Sequence, residues 1–212
     1  MKFLKLSLIS LVVCLSLIFS GTFSFSQPTP PNISPPVPFI PNSLGSCQGL
    51  QVLTAPVCPG DGIDTGKEAR LARLINTYRG NYGLPPIPLS PGLSMVANRH
   101  VMDLVQNIRR VTHAFSNCPY DGNNPQTYPC MWQAPQRLGT GYPGTGYEIA
   151  FGGTGGFMAT PRNSLRSWQN SPGHNAVILN QGIWANRPWK AMGVGINQGF
   201  TVVWFGEEPD RG

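Results

Sequence analysis

The sequence predicts an α+β domain in which helices pack on a small, mostly antiparallel sheet. Two observations carry this. Four helix starts bring their own capping or proline signals, at Thr65, Ser90, Thr160 and Ser171. The chain then closes with two apolar runs, Lys190 to Ile196 and Phe200 to Phe205, joined by Asn197-Gln198-Gly199 as a hairpin turn.

Length and composition bound the rest. The 212 residues suit one domain plus disposable sequence, and only 11% are charged, against about 25% in ordinary soluble domains. With 25 glycines and 22 prolines, much of the chain is expected in loops whose turns are set by backbone chemistry. Residues 1–26 read as a secretory signal. Lys2 and Lys5 start it, Leu8 to Phe19 form its apolar core, and Ser24-Phe25-Ser26 offers a cleavage site before Gln27. Cys14 lies inside that core with no small residue directly before it, which argues against lipidation. The rest of the chain holds no run long and apolar enough to span a bilayer. The protein is therefore expected to be secreted, or periplasmic in a Gram-negative host.

Losing Lys2 and Lys5 lowers the formal net charge from +6 to +4. The remaining cations are scattered, with no run beyond Arg109-Arg110 and no nucleic-acid-binding module, so nucleic acid is excluded as a partner. Four cysteines remain, Cys47, Cys58, Cys118 and Cys130, and an even number in an exported chain predicts disulfides. Proximity favours Cys47 with Cys58 and Cys118 with Cys130, each closing a loop worth on the order of 2.5 to 3 kcal/mol. A four-thiolate zinc site lacks its usual Cys-x-x-Cys spacing.

Residues 27–46 form a proline-rich spacer ahead of a domain over residues 47–212. Seven prolines fall between Gln27 and Asn42, and Asn32-Ile33-Ser34 fits the N-glycosylation pattern. Gly45-Ser46-Cys47-Gln48-Gly49 imitates a nucleophile elbow, but it lacks the strand and helix that such an elbow joins. Cys47 is read instead as a disulfide cysteine in a turn. Thr65-Gly-Lys-Glu68 predicts a capping box, and Leu71, Leu74, Ile75 and Tyr78 give the following helix one apolar face, with Gly80 as its stop. Ser90 caps a second helix with Pro91 in its first turn. Its apolar stripe runs Leu93, Val96, Ala97, His100, Val101, Leu104 and Ile108, so His100 is expected to be a buried, satisfied ring.

His113 follows in a short apolar stretch. The glycines at 139, 141 and 144 match a dinucleotide-binding spacing in form only, because Pro143 and Gly146 deny the helix that binding requires. Tyr147 to Phe151 reads as a strand carrying one carboxylate, Glu148, among apolar neighbours. That group must find a cation, a hydrogen-bond donor or a shifted pKa. Thr160-Pro161 opens a helix with Leu165 and Trp168. Ser171 caps the next, Pro172 opens it, and His174 lies in its first turn, where the helix dipole opposes protonation. A neutral imidazole is what a metal or a proton transfer requires.

His113, Glu148 and His174 therefore form the candidate site, framed by Trp168 and Ser171. Two imidazoles and a carboxylate suffice for Zn²⁺ with one position open to water, and equally for a hydrogen-bonded cluster in a cleft. As metal ligands the three would support a hydrolase in which Glu148 is either third ligand or general base, not both. Ser164, Ser167 or Ser171 beside His174 would allow a serine mechanism, although Ser171 reads first as a helix cap worth roughly 1 kcal/mol.

The order of these features resembles the CAP superfamily of cysteine-rich secretory proteins, antigen 5 and pathogenesis-related 1, in its short bacterial type. The matching stretches include Ala72 to Arg79 with Gly83-Leu84-Pro85-Pro86, Leu89 to Leu93 and the His100 helix. They continue through Thr112-His113, Gln136-Arg137-Leu138, Glu148-Ile149-Ala150, Trp168 to Leu179, Met192 to Ile196 and Trp204-Phe205-Gly206. The resemblance is clearest over residues 65–206. It implies an α-β-α sandwich with a central cleft lined by two histidines and acidic residues, which in some members holds a divalent metal. Here His113, Glu148 and His174 match. The family's Gly-Glu-Asn-Ile appears as Tyr147-Glu148-Ile149, and a second acidic position is Ser171. The resemblance implies a secreted module that binds a metal ion, a small ligand, a lipid or a peptide. Its alternatives are a metal-assisted peptidase and an extracellular adhesive protein.

Overall fold

A computed structural model of the protein describes residues 47–211. The predicted leader, the proline-rich spacer and the Asn32 pattern lie outside the described residues.

The described chain begins at the Cys47–Cys58 disulfide, which clamps the single-turn helix α1 (Gln51–Thr54). Helix α2 (Lys67–Gly80) starts one step away from the predicted box. Asp64, not Thr65, accepts hydrogen bonds from the N–H groups of Gly66 (2.8 Å) and Lys67 (2.9 Å). Glu68 Oε2 completes the exchange by accepting from the Asp64 N–H at 3.0 Å. A carboxylate outcompetes the neighbouring hydroxyl here because an ionised acceptor is stronger and the helix start favours negative charge. The same backbone hydrogen bonds hold the Asp64 pKa below its ordinary value.

Helix α3 (Pro91–Asp103) keeps the predicted cap, with the Leu93 N–H donating to Ser90 Oγ at 2.9 Å. It runs on through a π-turn over Leu104–Ile108 and stops where Arg109 takes a positive φ of 63°. Two one-turn helices follow, α4 (Pro129–Trp132) and α5 (Ala134–Arg137). After them come strand β1 (Gly146–Gly152), helix α6 (Pro161–Gln169), capped by Thr160 as predicted, and helix α7 (Pro172–Ile178). Strands β2 (Ala191–Asn197) and β3 (Phe200–Gly206) end the fold. Their hairpin needs only two loop residues, Gln198 (φ 37°) and Gly199 (φ 90°), the paired positive angles that match strand twist. The dinucleotide-like glycines 139, 141 and 144 lie in the loop between α5 and β1, with no strand before them.

The three strands form one antiparallel sheet in the order β1-β3-β2, so β1 is an edge. Alternation along β3 divides the core in two. Val202 and Trp204 face Leu93, Val96, Ala97 and Val101 of α3. Val203 and Phe205 face Leu71 and Ile75 of α2, Leu165 and Trp168 of α6, and Val177 of α7. The result is an α-β-α sandwich. Helix α3 lies so close on β2 that a Cβ at Gly193 would sit 2.1 Å from the Leu93 carbonyl, and one at Gly195 would sit 2.5 Å from that of Ala97. Among the described residues no helix is long and apolar enough to cross a membrane.

Candidate functional site

Glu148 sits on β1 opposite Trp204, which points its side chain to the α3 side of the sheet. There it meets His100. This histidine is fully buried, as the apolar stripe predicted, and its ring stacks on Phe115 at 4.2 Å between centroids. Its two nitrogens both face acceptors: Nδ1 meets Glu148 Oε2 and Nε2 meets the Ala114 carbonyl at 3.0 Å. An imidazole with two acceptor partners must carry a proton on each nitrogen, so His100 is an imidazolium. Burial by itself would lower its pKa, but the Glu148 carboxylate outweighs burial and holds it above the ordinary value. Burial would likewise raise Glu148, yet His100 and then His113 bring it down to about 2. The cation that Glu148 requires is His100, a residue sequence reasoning had left outside the site.

His113 comes from the loop after the π-turn, where Thr112 Oγ1 accepts from the Ala114 N–H at 3.1 Å and shapes the bend. Its Nδ1–H donates to Glu148 Oε1 at 2.8 Å, and its side chain remains 29% exposed. Both Glu148 oxygens are thus engaged by imidazoles, and the carboxylate is wholly buried. Glu148 is a positioning residue for His113. The sequence reading of it as third metal ligand or general base meets a carboxylate whose side chain is buried and whose two oxygens each already accept from an imidazole.

Helix α7 brings His174 to the other side. Three contacts fix it: Tyr78 O–H donates to Asn175 Oδ1 at 2.9 Å, the Trp189 indole donates to the Val177 carbonyl at 2.8 Å, and the buried Arg79 donates to the Ile178 carbonyl at 2.5 Å. Ser171 occupies the N-cap position by its backbone, but its side chain makes no capping hydrogen bond. Its Oγ lies 2.8 Å from His174 Nδ1 instead. The predicted cap is corrected on this point: the hydroxyl is drawn to a ring nitrogen. Burial, and then the neighbouring His113, lower the His174 pKa and favour the neutral ring. Trp168, also predicted for the cleft, is fully buried under β1, where its indole donates to the Ala150 carbonyl at 3.2 Å. It supports the strand that carries Glu148 and does not line the cleft.

His113, Glu148, Ser171 and His174 do converge, on a cavity of about 400 Å³ at the β1 edge of the sheet. Its walls are aromatic, which sequence reasoning missed. Tyr120 stacks on Tyr128 (5.5 Å), Tyr128 meets Trp132 (5.4 Å), Trp132 meets Tyr147 (6.0 Å) and Tyr147 meets Trp184 (5.2 Å). The Cys118–Cys130 disulfide braces the loop bearing Tyr120 and Tyr128. The only local signal was a density of Tyr and Trp in segments that otherwise read as loops. A hollow of about 330 Å³ beside Phe157 and Met158, and one of about 470 Å³ beside Asp64 and Glu68, contain neither histidine.

Each cleft histidine spends its Nδ1 on a neighbour, and among the described residues neither Nε2 has a hydrogen-bond partner. Such Nδ1 contacts are the kind that orient metal-ligating histidines. The donor set nonetheless ends at two nitrogens, whereas a catalytic zinc centre takes three protein ligands. Among the described residues no three His, Cys, Asp or Glu side chains are arranged to hold a metal ion. The residues present do not fit a resident catalytic zinc, and no reaction step is derived through one.

Comparison with known proteins agrees with this architecture. The chain is similar in structure to an extracellular protein containing an SCP domain from Bacillus anthracis str. Ames, at 21% identity and a TM-score of 0.50, over 71% of this chain and 44% of that one. A cysteine-rich secretory protein from Staphylococcus aureus subsp. aureus Mu50 aligns at 16% identity and a TM-score of 0.47, over 68% of this chain and 40% of that one. The chain thus spans less than half the length of either, and at such identities the first likeness is one of fold alone. No curated protein matches the sequence. Residues 72–198 match the family model described as the cysteine-rich secretory protein family, which makes this chain a member of the CAP family.

Proposed function

We propose that this CAP domain is an exported binding module whose aromatic-walled cleft takes a small, uncharged organic ligand. One observation carries the reading. Among the described residues the one carboxylate lining the cleft is buried and paired with His100 and His113, and the two imidazole Nε2 atoms stand as polar handles among aromatic faces. That is the usual make-up of a small-molecule site: apolar walls, few polar groups, and a volume within the common range of about 300–1,000 Å³. Export is supported by the two disulfides, which persist in oxidising compartments, and by the signal-like residues 1–26.

The test is saturation-transfer NMR with a panel of neutral organic compounds against the native protein and the His113→Ala and Trp184→Ala variants. Ligands bound by the native protein and lost in both variants support the cleft. Equal binding in all three proteins, or none in any, refutes it.

A hydrolytic reading is favoured by one contact, the 2.8 Å approach of Ser171 Oγ to His174 Nδ1, which pairs a hydroxyl with a base inside the cavity. It predicts covalent labelling by a fluorophosphonate that Ser171→Ala abolishes. An unlabelled native protein removes it.

A further inference from the structure

We infer that the ligand of this cleft is a neutral pyranose, either a single sugar ring or the end of an oligosaccharide. The inference rests on the binding reading above and narrows its ligand class.

Charge comes first. Two charged groups at the cavity and its wall are paired: Glu148 with His100, and Arg187, over the Tyr147 ring, with Glu207 through a 2.6 Å hydrogen bond. Arg187 also lies over the Tyr147 ring at 4.9 Å and donates to its hydroxyl at 2.7 Å, which holds it against that wall. Among the described residues no lysine or arginine lines the cleft to meet an entering phosphate or carboxylate. An ammonium would meet no unpaired carboxylate, because Glu148 is shielded behind His113. Desolvating either kind of ion without a partner costs far more than the cleft offers in return. A neutral ligand carries no such cost.

The walls come next. Trp132 and Trp184 flank Tyr147 at interplanar angles of 60° and 71°. Each stands steeply to the Tyr147 ring, so Tyr147 makes a corner with either indole. The axial C–H bonds of a pyranose carry slight positive charge, and the negative face of an aromatic ring attracts them. A sugar ring seated in such a corner can present C–H groups to two walls at once.

Polar groups then separate a sugar from a hydrocarbon or lipid tail. His113 Nε2, His174 Nε2 and the indole N–H groups of Trp132 and Trp184 have no partner among the described residues. A purely apolar occupant seated against the two histidines would leave their Nε2 atoms unpaired. A ring bearing hydroxyls around an apolar face meets donors, acceptors and aromatic faces in one pose.

The experiment uses the disulfide-bonded protein, with chitotetraose, cellotetraose and maltotetraose as sugar probes and Nile red as a neutral apolar probe. Intrinsic tryptophan fluorescence and saturation-transfer NMR report binding. The expected result is binding of at least one tetrasaccharide, weakened about tenfold in Trp184→Ala. Trp184→Phe keeps the packing of the wall while shrinking its face, so it separates weakened binding from a failure to fold and should weaken the same sugar. Three results overturn the inference. If a sugar binds equally well to both Trp184 variants, it binds elsewhere. If Nile red binds in a Trp184-dependent way while every sugar fails, the sugar assignment falls and the cleft reading stands. If no probe binds, both fall.

Discussion

His113 Nδ1 lies 2.8 Å from Glu148 Oε1 while His100 holds the other oxygen of the same carboxylate. One buried anion thus joins a core histidine to a cleft histidine. It ties the stability of the sandwich to the orientation of a ring that a ligand would touch.

Glu148→Gln should therefore be severely destabilising. The amide places a neutral N–H₂ or C=O against two imidazole donors and leaves the His100 imidazolium buried without its anion. Breaking a buried pair in this way costs about 3–5 kcal/mol. Equilibrium denaturation at pH 6 checks it. A variant within 1 kcal/mol of the native protein would mean that the pair is not ionic.

The same pair sets a pH window. Glu148 is held down to about 2, so its contribution is present above the ordinary carboxylate value of 4.5 and is lost as pH falls toward 2. His100 is held above 6.5, so its contribution is present below 6.5 and is lost as pH rises through its higher folded value. Glu68, buried between α2 and β2 with Oε1 accepting from the Ile196 N–H at 3.2 Å, is pushed by burial up to about 7. Its contribution is present below 4.5 and is lost by about pH 7, on the order of 3 kcal/mol. Thermal unfolding should show greatest stability near pH 5 and a clear decline toward pH 8. Glu68→Gln should flatten much of that decline, and an unchanged slope would show that Glu68 is not its source.

Ser171→Ala separates a cap from a cleft hydroxyl. A lost cap costs about 1 kcal/mol. Because the Ser171 hydroxyl bonds His174 and no backbone N–H, the expected cost is below about 0.5 kcal/mol, in the range of surface substitutions. The ring ¹⁵N shifts of His174 should change markedly. A full capping penalty with unmoved His174 shifts would restore the reading made from sequence.

Gly193→Ala should cost about 3 kcal/mol or more, beyond ordinary overpacking, since the new methyl would meet the Leu93 backbone at 2.1 Å. Backbone atoms cannot rotate away as a side chain does. A fully stable Gly193→Ala protein, judged by its melting temperature, would show that α3 can lift from β2 without loss.

Much of this architecture was legible in the chain. Ser90 and Thr160 cap the helices they were expected to cap, the β2–β3 hairpin turns at Gln198-Gly199, and the cysteines pair by proximity. These are contacts between residues close in sequence, where turn chemistry and loop entropy act without regard to the rest of the fold. The box expected at Thr65 moved to Asp64 through a competition between two adjacent acceptors that periodicity does not register.

By itself, then, the sequence determined the helix starts at Ser90 and Thr160, the two halves of the hairpin, a preference for pairing neighbouring cysteines, and the requirement that Glu148 find a cation, a hydrogen-bond donor or a shifted pKa. Only the tertiary structure decided which cation answers it. His100 and His113 lie 48 and 35 residues from Glu148 along the chain, and they meet it because α3 packs on the sheet face toward which β1 turns that carboxylate. The aromatic walls were decided in the same way, by loops from separate parts of the chain closing over the exposed edge of one strand. Such contacts depend on long-range packing, which leaves no periodic trace among neighbouring residues.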